Sequence, residues 1–232
     1  MNKKSLTLQP KTRQAIAAIF QDIDYAALAP IYCEEGGDAF WNAHRTPCKR
    51  MGSKIAEQVK TRLTPKGRSL YVGAGIAEIP PLIMEVTELN RSVAAHNLRT
   101  DEVETLNQAC HSHGLTFTDI DAQEAKGTFD HIWIVSVLND PEQFPELSAL
   151  SYGRVNPTTF NPLQFQHERN TVFALANTLL KKLTRPGLIT TSIEEIPWIT
   201  NYCEQQDLSY IVEDNDYPTA IVKDPICFIH IA

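Results

Sequence analysis

The stretch that decides the fold is Ser69 to Pro80, SLYVGAGIAEIP: a short apolar run, two glycines around an alanine, then a helix start. Leu70, Tyr71 and Val72 suit a strand. Gly73 and Gly75 let the backbone turn tightly and let a ligand approach the strand end where a Cβ would block it. A lone G-x-G is a weak signal, and its place between a strand and a helix gives it weight. The same residues also suit a tight strand-to-helix turn that holds no ligand.

Beyond this turn, short apolar runs alternate with helical stretches, the pattern of βαβ units on a parallel sheet. Strands are predicted at Ser69 to Val72, Ser92 to Asn97, Thr116 to Ile120, His131 to Val137 and Leu188 to Ser192. Crossover helices are predicted at Glu78 to Leu89, Asp101 to His113 and Glu168 to Leu183, with Arg185-Pro186-Gly187 as the stop before the fifth strand. Ser209 to Glu213, Ala220 to Val222 and Ile226 to Ile231 read as further strands. The last two, joined by Lys223-Asp224-Pro225, must be antiparallel because their link is so short. The expected fold class is α/β, a mostly parallel seven-stranded sheet ending in an antiparallel hairpin.

Before the turn lie amphipathic helices, Lys11 to Phe20 and Met51 to Leu63, with apolar residues spaced at three and four. Tyr32 to Pro47, with its Gly-Gly pair and Phe40-Trp41, suits a loop or short helix. Residues 1–64 are therefore expected to form an N-terminal helical region or lid, and 65–232 the α/β domain. Pro141 to Gln166 interrupts the alternation with four of the fourteen prolines. It begins at the carboxyl end of a strand, where open parallel sheets bind ligands, and is expected either to shape a substrate pocket or to wrap the sheet edge.

With 232 residues the chain can bury a full core without staples. Its 28 acidic against 21 basic side chains give a net charge of -7, which counts against nucleic acid as the main partner. Five scattered cysteines without a C-x-x-C pair argue against a disulfide framework or a structural zinc site. Met1 to Pro10 lacks the apolar run of a signal peptide, and no segment reaches the length of a membrane span. A cytoplasmic location, no membrane association and a small-molecule substrate are expected, and a homo-oligomer is compatible with the sequence.

Four stations along the chain, in order, carry a resemblance. Val72-Gly73-Ala74-Gly75 follows the first strand, Ala95-His96-Asn97-Leu98 ends the second, Asp119-Ile120-Asp121-Ala122 follows the third, and Phe129-Asp130 opens the fourth. In this the sequence resembles the class I S-adenosylmethionine-dependent methyltransferases, from roughly Lys54 to the C-terminus. The resemblance implies a Rossmann-like methyltransferase fold and S-adenosylmethionine as cofactor. It implies that Gly73, Ala74 and Gly75 hold the methionine end, Asn97 and Leu98 the ribose and adenine, Asp121 and Ala122 the adenine edge, and Ser136 the floor. Asn97 departs from the family, which usually places a carboxylate there to accept both ribose hydroxyls. Asp121 also suits a helix cap for Gln123-Glu124-Ala125.

Asn139-Asp140-Pro141-Glu142 falls where some amino-group methyltransferases carry Asn/Asp-Pro-Pro-aromatic, and the match stops after one proline. Asp140 is the first choice for a polar group near substrate, with Asn139 beside it, although a loop cap or turn better explains Asn139-Asp140-Pro141. His167 could act as a base facing the pocket or lie exposed at a helix start. Tyr32 and Trp41 could cover the cofactor and substrate as a lid, or pack in the core. His111-Ser112-His113 suits a helix C-terminus better than a metal, and no metal is expected. The expected activity is methyl transfer to a small molecule. The alternatives are an inactive methyltransferase-like binding or scaffold protein, motivated by Asn97, and transfer of another group from the same cofactor.

Overall fold

The computed structural model describes residues 7–222 and 224–232. Lys223 of the expected last turn, and the first six residues of the Met1 to Pro10 stretch, lie outside them. Among the described residues, β1 (Arg68–Val72), β2 (Ser92–His96), β3 (Phe117–Thr118), β4 (Phe129–Ile134), β5 (Leu183–Ser192), β6 (Tyr210–Val212) and β7 (Ile226–Ile231) form one sheet. Its order is β3-β2-β1-β4-β5-β7-β6. β1 to β5 run parallel, and β7 is antiparallel to both its neighbours. The chain winds outward from β1 through β3 and then returns to the other side of β1, so the switch point lies between β1 and β4, where such sheets form their ligand crevice.

Strand alternation divides the core between the two faces. Leu70, Val72, Ile132, Ile134, Ile229 and Ile231 join one buried cluster, while Tyr71, Trp133 and Phe228 join the other. The first face packs α6 (Pro145–Ser151), α7 (Pro162–Leu180) and α8 (Ile196–Gln205); the second packs α1 (Pro10–Asp22), α2 (Tyr25–Tyr32), α3 (Gly37–Arg62), α4 (Ile79–Glu88) and α5 (Thr100–Cys110). No helix among the described residues is long and apolar enough to cross a membrane.

Three expectations need correction. The partner of Ile226–Ile231 on the side away from β5 is Tyr210–Val212, and Ala220 to Val222 lie in bends; among the described residues the connection 213–225 contributes one isolated bridge, Tyr217 to Ile226. Pro218 and Pro225 lack the N–H a second ladder would need. Tyr32 to Pro47 is largely helical: Gly36, at φ +74, breaks the chain between α2 and α3, and α3 then runs through Pro47 to Arg62. That length buries one stripe of Trp41, Cys48, Gly52, Ile55, Ala56 and Val59. Finally, Arg185-Pro186-Gly187 lies inside β5. Phe129 pairs with Leu183 but His131 with Leu188, so the extra residues form an irregularity within the strand.

On the α4 face, a polar network crosses the strands far from their carboxyl ends. Glu85 of α4 accepts from Ser69 and Tyr71 (2.7 Å), pairs with Arg91 (2.9 Å) and meets His131 (3.1 Å), while His131 Nε2 reaches Thr190 at 2.9 Å. Burial pushes the Glu85 pKa up, but His131 and Arg91 prevail and hold it below the usual value. Each polar side chain of this network thus has a partner, as burial in a low dielectric demands.

Candidate functional site

β1 ends at Val72, and Gly73 turns the chain at φ +68, in the left-handed region that glycine enters without penalty. Gly73 is exposed, and a Cβ there would approach Val137 Cγ2 at 2.8 Å. Ala74 N–H donates to the His96 carbonyl at 2.8 Å, tying the turn to β2. Gly75 differs from Gly73. It is buried at φ -125, and a Cβ would lie 2.7 Å from Glu102 Oε1 and 2.9 Å from the Tyr32 hydroxyl. One glycine opens toward the crevice, and the other makes room for the protein's own side chains.

Asn97 is buried, and its amide is committed. Nδ2 donates to the Ala74 carbonyl (2.9 Å) and to Glu102 Oε2 (3.0 Å), and Oδ1 accepts from Arg99 N–H (2.9 Å). A carboxylate at this position could make neither donation. The amide is what lets a carbonyl and the Glu102 carboxylate share one neighbour. Glu102 also accepts from the Tyr32 hydroxyl. Burial pushes the Glu102 pKa up, against the bonds from Tyr32 and Asn97, and it stays above the usual range. Glu78, which accepts from Gly75 N–H at 2.9 Å, is raised to about 7, chiefly by burial, with the Glu102 charge adding to it. Trp41, expected at the substrate, is 3% exposed and backs Tyr32, with ring centroids 5.0 Å apart.

At the neighbouring strand ends, Leu98 is 58% and Ile120 50% exposed. They are held side by side, because His96 Nδ1 meets the Ile120 carbonyl at 2.8 Å and Asn97 N–H donates to the Thr118 carbonyl at 2.9 Å. Asp121 caps the short turn Ala122–Glu124, accepting from Gln123 N–H at 2.8 Å, so the capping role read for it is present. Its carboxylate keeps further lone pairs for a ligand. Ala122 is buried beneath it.

At the end of β4, Glu195 holds the loop. It accepts from Ser136 N–H (3.0 Å), Val137 N–H and Leu138 N–H (both 2.6 Å). Ser136, at φ +57, donates its hydroxyl to Asp224 at 3.1 Å. Asn139 is 1% exposed; its Nδ2 donates to the Tyr152 hydroxyl at 3.0 Å, and its Oδ1 has no hydrogen-bond partner among the described residues. Tyr152 in turn donates to Asp224. Asp140 closes a local turn by accepting from Glu142 N–H at 2.8 Å.

The structure therefore gathers Tyr32, Gly73, Ala74, Gly75, Asn97 and Leu98 at the ends of β1 and β2, Asp121 and Ala122 at β3, and Ser136, Asn139 and Asp140 at β4. His167 is not drawn into these groups. It lies exposed on the second turn of α7, one turn beyond the Asn161 cap, and its ring hydrogen-bonds to none of them. Glu78, Glu102, Tyr152, Glu195 and Asp224 were not singled out from the sequence. Glu78 and Glu102 stand in first turns, where acids are ordinary, and the others reach the site from distant segments.

No family model matches the sequence, and no curated protein does. Solved structures do. The magnesium protoporphyrin IX methyltransferase ChlM of Synechocystis PCC 6803 with bound SAM superposes at TM-score 0.53 and 12% identity, over 98% of this chain and 99% of that one. The same protein with bound SAH superposes at 0.53 and 13% identity, over 94% of this chain and 99% of that one. The likeness shows that this chain shares the Rossmann-like fold of that methyltransferase.

Proposed function

We propose that this chain binds S-adenosylmethionine at the ends of β1, β2 and β3 and transfers its methyl group to a small-molecule acceptor at the end of β4. The observation that carries this reading is the pair of exposed apolar side chains, Leu98 and Ile120, beside the open turn at Gly73. Large apolar groups at a strand-end crevice suit the faces of a flat heterocycle.

The residues fit the cofactor best at its nucleoside end. Leu98 and Ile120 would flank the adenine, Asp121 would accept from its amino group, and the Ala122 backbone would face its ring edge. Asn97 contributes indirectly, since its amide fixes the turn at Ala74. Glu78 and Glu102 place acid beside the turn, which suits a cationic chain. When bound, the cofactor supplies an electrophilic methyl carbon. The protein's task is then alignment, because a nucleophile held about 3 Å from that carbon needs little further assistance. Asn139 Oδ1, buried without a partner among the described residues, would accept an N–H or O–H of the acceptor, and Tyr152 with Asp224 keeps the Asn139 amide in place. The net charge of -7 favours a small acceptor over a polyanion.

One observation favours a second reading, a binding protein without catalysis: Tyr32 and Glu102 pack directly on Gly75. Calorimetric titration with S-adenosylmethionine and its demethylated product separates the two. Micromolar binding of both, weakened about tenfold or more by Leu98→Asp, supports the methyltransferase reading. Failure of both to bind at roughly millimolar concentration would overturn it and leave the binding protein.

A further inference from the structure

Away from the strand-end crevice, a groove of about 360 Å³ opens between the N-terminal helices. Ala17, Phe20 and Gln21 of α1, Tyr25 of α2, and Arg45, Thr46 and Lys49 of α3 line it. No acid lines it. Arg45 and Lys49 stand four residues apart on one side of α3 and are cations without an ion-pair partner among the described residues. In a chain of net charge -7, the hollow is thus lined by two cations and no carboxylate among the described residues. The nearest acids in sequence are Asp22 and Asp24, and Asp24 is committed to capping α2 through Ala26 and Ala27 N–H. Arg45 lines the groove beside Tyr25, and its charge opposes the upward push that burial and Cys48 give the Tyr25 hydroxyl. That hydroxyl is itself occupied, donating to the Phe20 carbonyl at 2.8 Å.

We propose that this groove is a second binding site, for the phosphate or carboxylate group of a small organic molecule with an apolar body. Arg45 offers a planar fork matched to two oxygens of such a group, and Lys49 adds a point charge beside it. The Thr46 hydroxyl and the Gln21 amide supply neutral donors. Phe20 and Tyr25 offer ring surface to the remainder of the molecule, and the volume is at the small end of ordinary ligand pockets. The site does not depend on methyl transfer, since none of its residues belongs to the strand-end crevice.

Calorimetry with phenyl phosphate, and with inorganic phosphate as the arm that lacks an apolar body, tests it on the whole chain. The expected result is saturable one-site binding of phenyl phosphate, tighter than that of inorganic phosphate. The double variant Arg45→Gln with Lys49→Gln should weaken it about tenfold or more. Arg50→Gln with Lys54→Gln removes the same charge from exposed positions elsewhere on α3 and should leave the affinity within about twofold. All four positions are partly or fully exposed, and thermal melts check that both variants fold. No saturable binding up to roughly 10 mM overturns the site, and so does an equal loss in both double variants. Equal affinity for the two phosphates overturns the role given to Phe20 and Tyr25.

Discussion

Arg99 follows β2 and Glu142 follows β4, yet their side chains meet at 2.7 Å, and the strand lying between those two in the sheet is β1. The ion pair therefore bridges the carboxyl end of β1, where Gly73 turns the chain. Both side chains are largely exposed, so the pair contributes at most about 1 kcal/mol to stability. Its consequence lies in access. Arg99→Ala should leave the melting temperature almost unchanged and speed cofactor association in stopped-flow mixing; an unchanged association rate would show that the pair does not guard the entry.

Tyr32→Phe removes the hydroxyl that donates to Glu102 above Gly75. The variant keeps the ring packed on Trp41, so stability should fall only by about 1 kcal/mol, the worth of one hydrogen bond. Cofactor affinity should rise, because the segment covering Gly75 is held less firmly. Equal or weaker binding, measured by calorimetry, would mean that Tyr32 belongs to the bound state.

Glu78 gives a pH dependence of definite sign. Its native pKa of about 7 stands above the ordinary 4.5, so between these values the folded state holds a proton that the unfolded state has lost. Stability from this group is present below 4.5 and declines as pH rises through 7. Glu78→Gln can still accept from Gly75 N–H while losing the charge. It should gain on the wild type between pH 4 and pH 8 in denaturant titrations, and a constant difference across that range would contradict the assignment.

Glu85 runs the other way. Its native pKa is below the ordinary value, so its contribution is full above the unfolded value and disappears as pH falls through the native one. Glu85→Ala leaves Arg91 with Asp130 as its remaining carboxylate and takes the acceptor from the buried Tyr71 hydroxyl, and should cost about 3 kcal/mol near neutral pH. The penalty should shrink in acid, which urea unfolding at two pH values would reveal.

What the sequence disclosed follows from the range of the forces involved. The glycine turn and the strands around it were legible because two glycines and a period-two apolar run act over a few residues. The strand Tyr210–Val212 was legible, within Ser209 to Glu213, but its pairing with Ile226–Ile231 was not, because the short link Lys223-Asp224-Pro225 pointed to Ala220 to Val222 as the neighbour. The helix through Pro47 was hidden because its buried stripe from Trp41 to Val59 outweighs the local preference of one proline. In the site, Gly73, Asn97 and Asn139 could be picked out by position. Glu102, five residues from Asn97, passed as an ordinary first-turn acid, and Glu195 and Asp224 could not be picked out, since tertiary contacts alone bring them there.

The two margins of the sheet are its shortest strands: β3 has two residues and β6 three. A long unpaired margin would offer a row of free N–H and C=O groups to a neighbouring molecule and invite fibrous stacking. Here each border presents only a few such groups, while the long parallel strands are enclosed on either side. The chain thus keeps its most adhesive backbone in the interior, and self-association, if it occurs, must draw on its helices and loops.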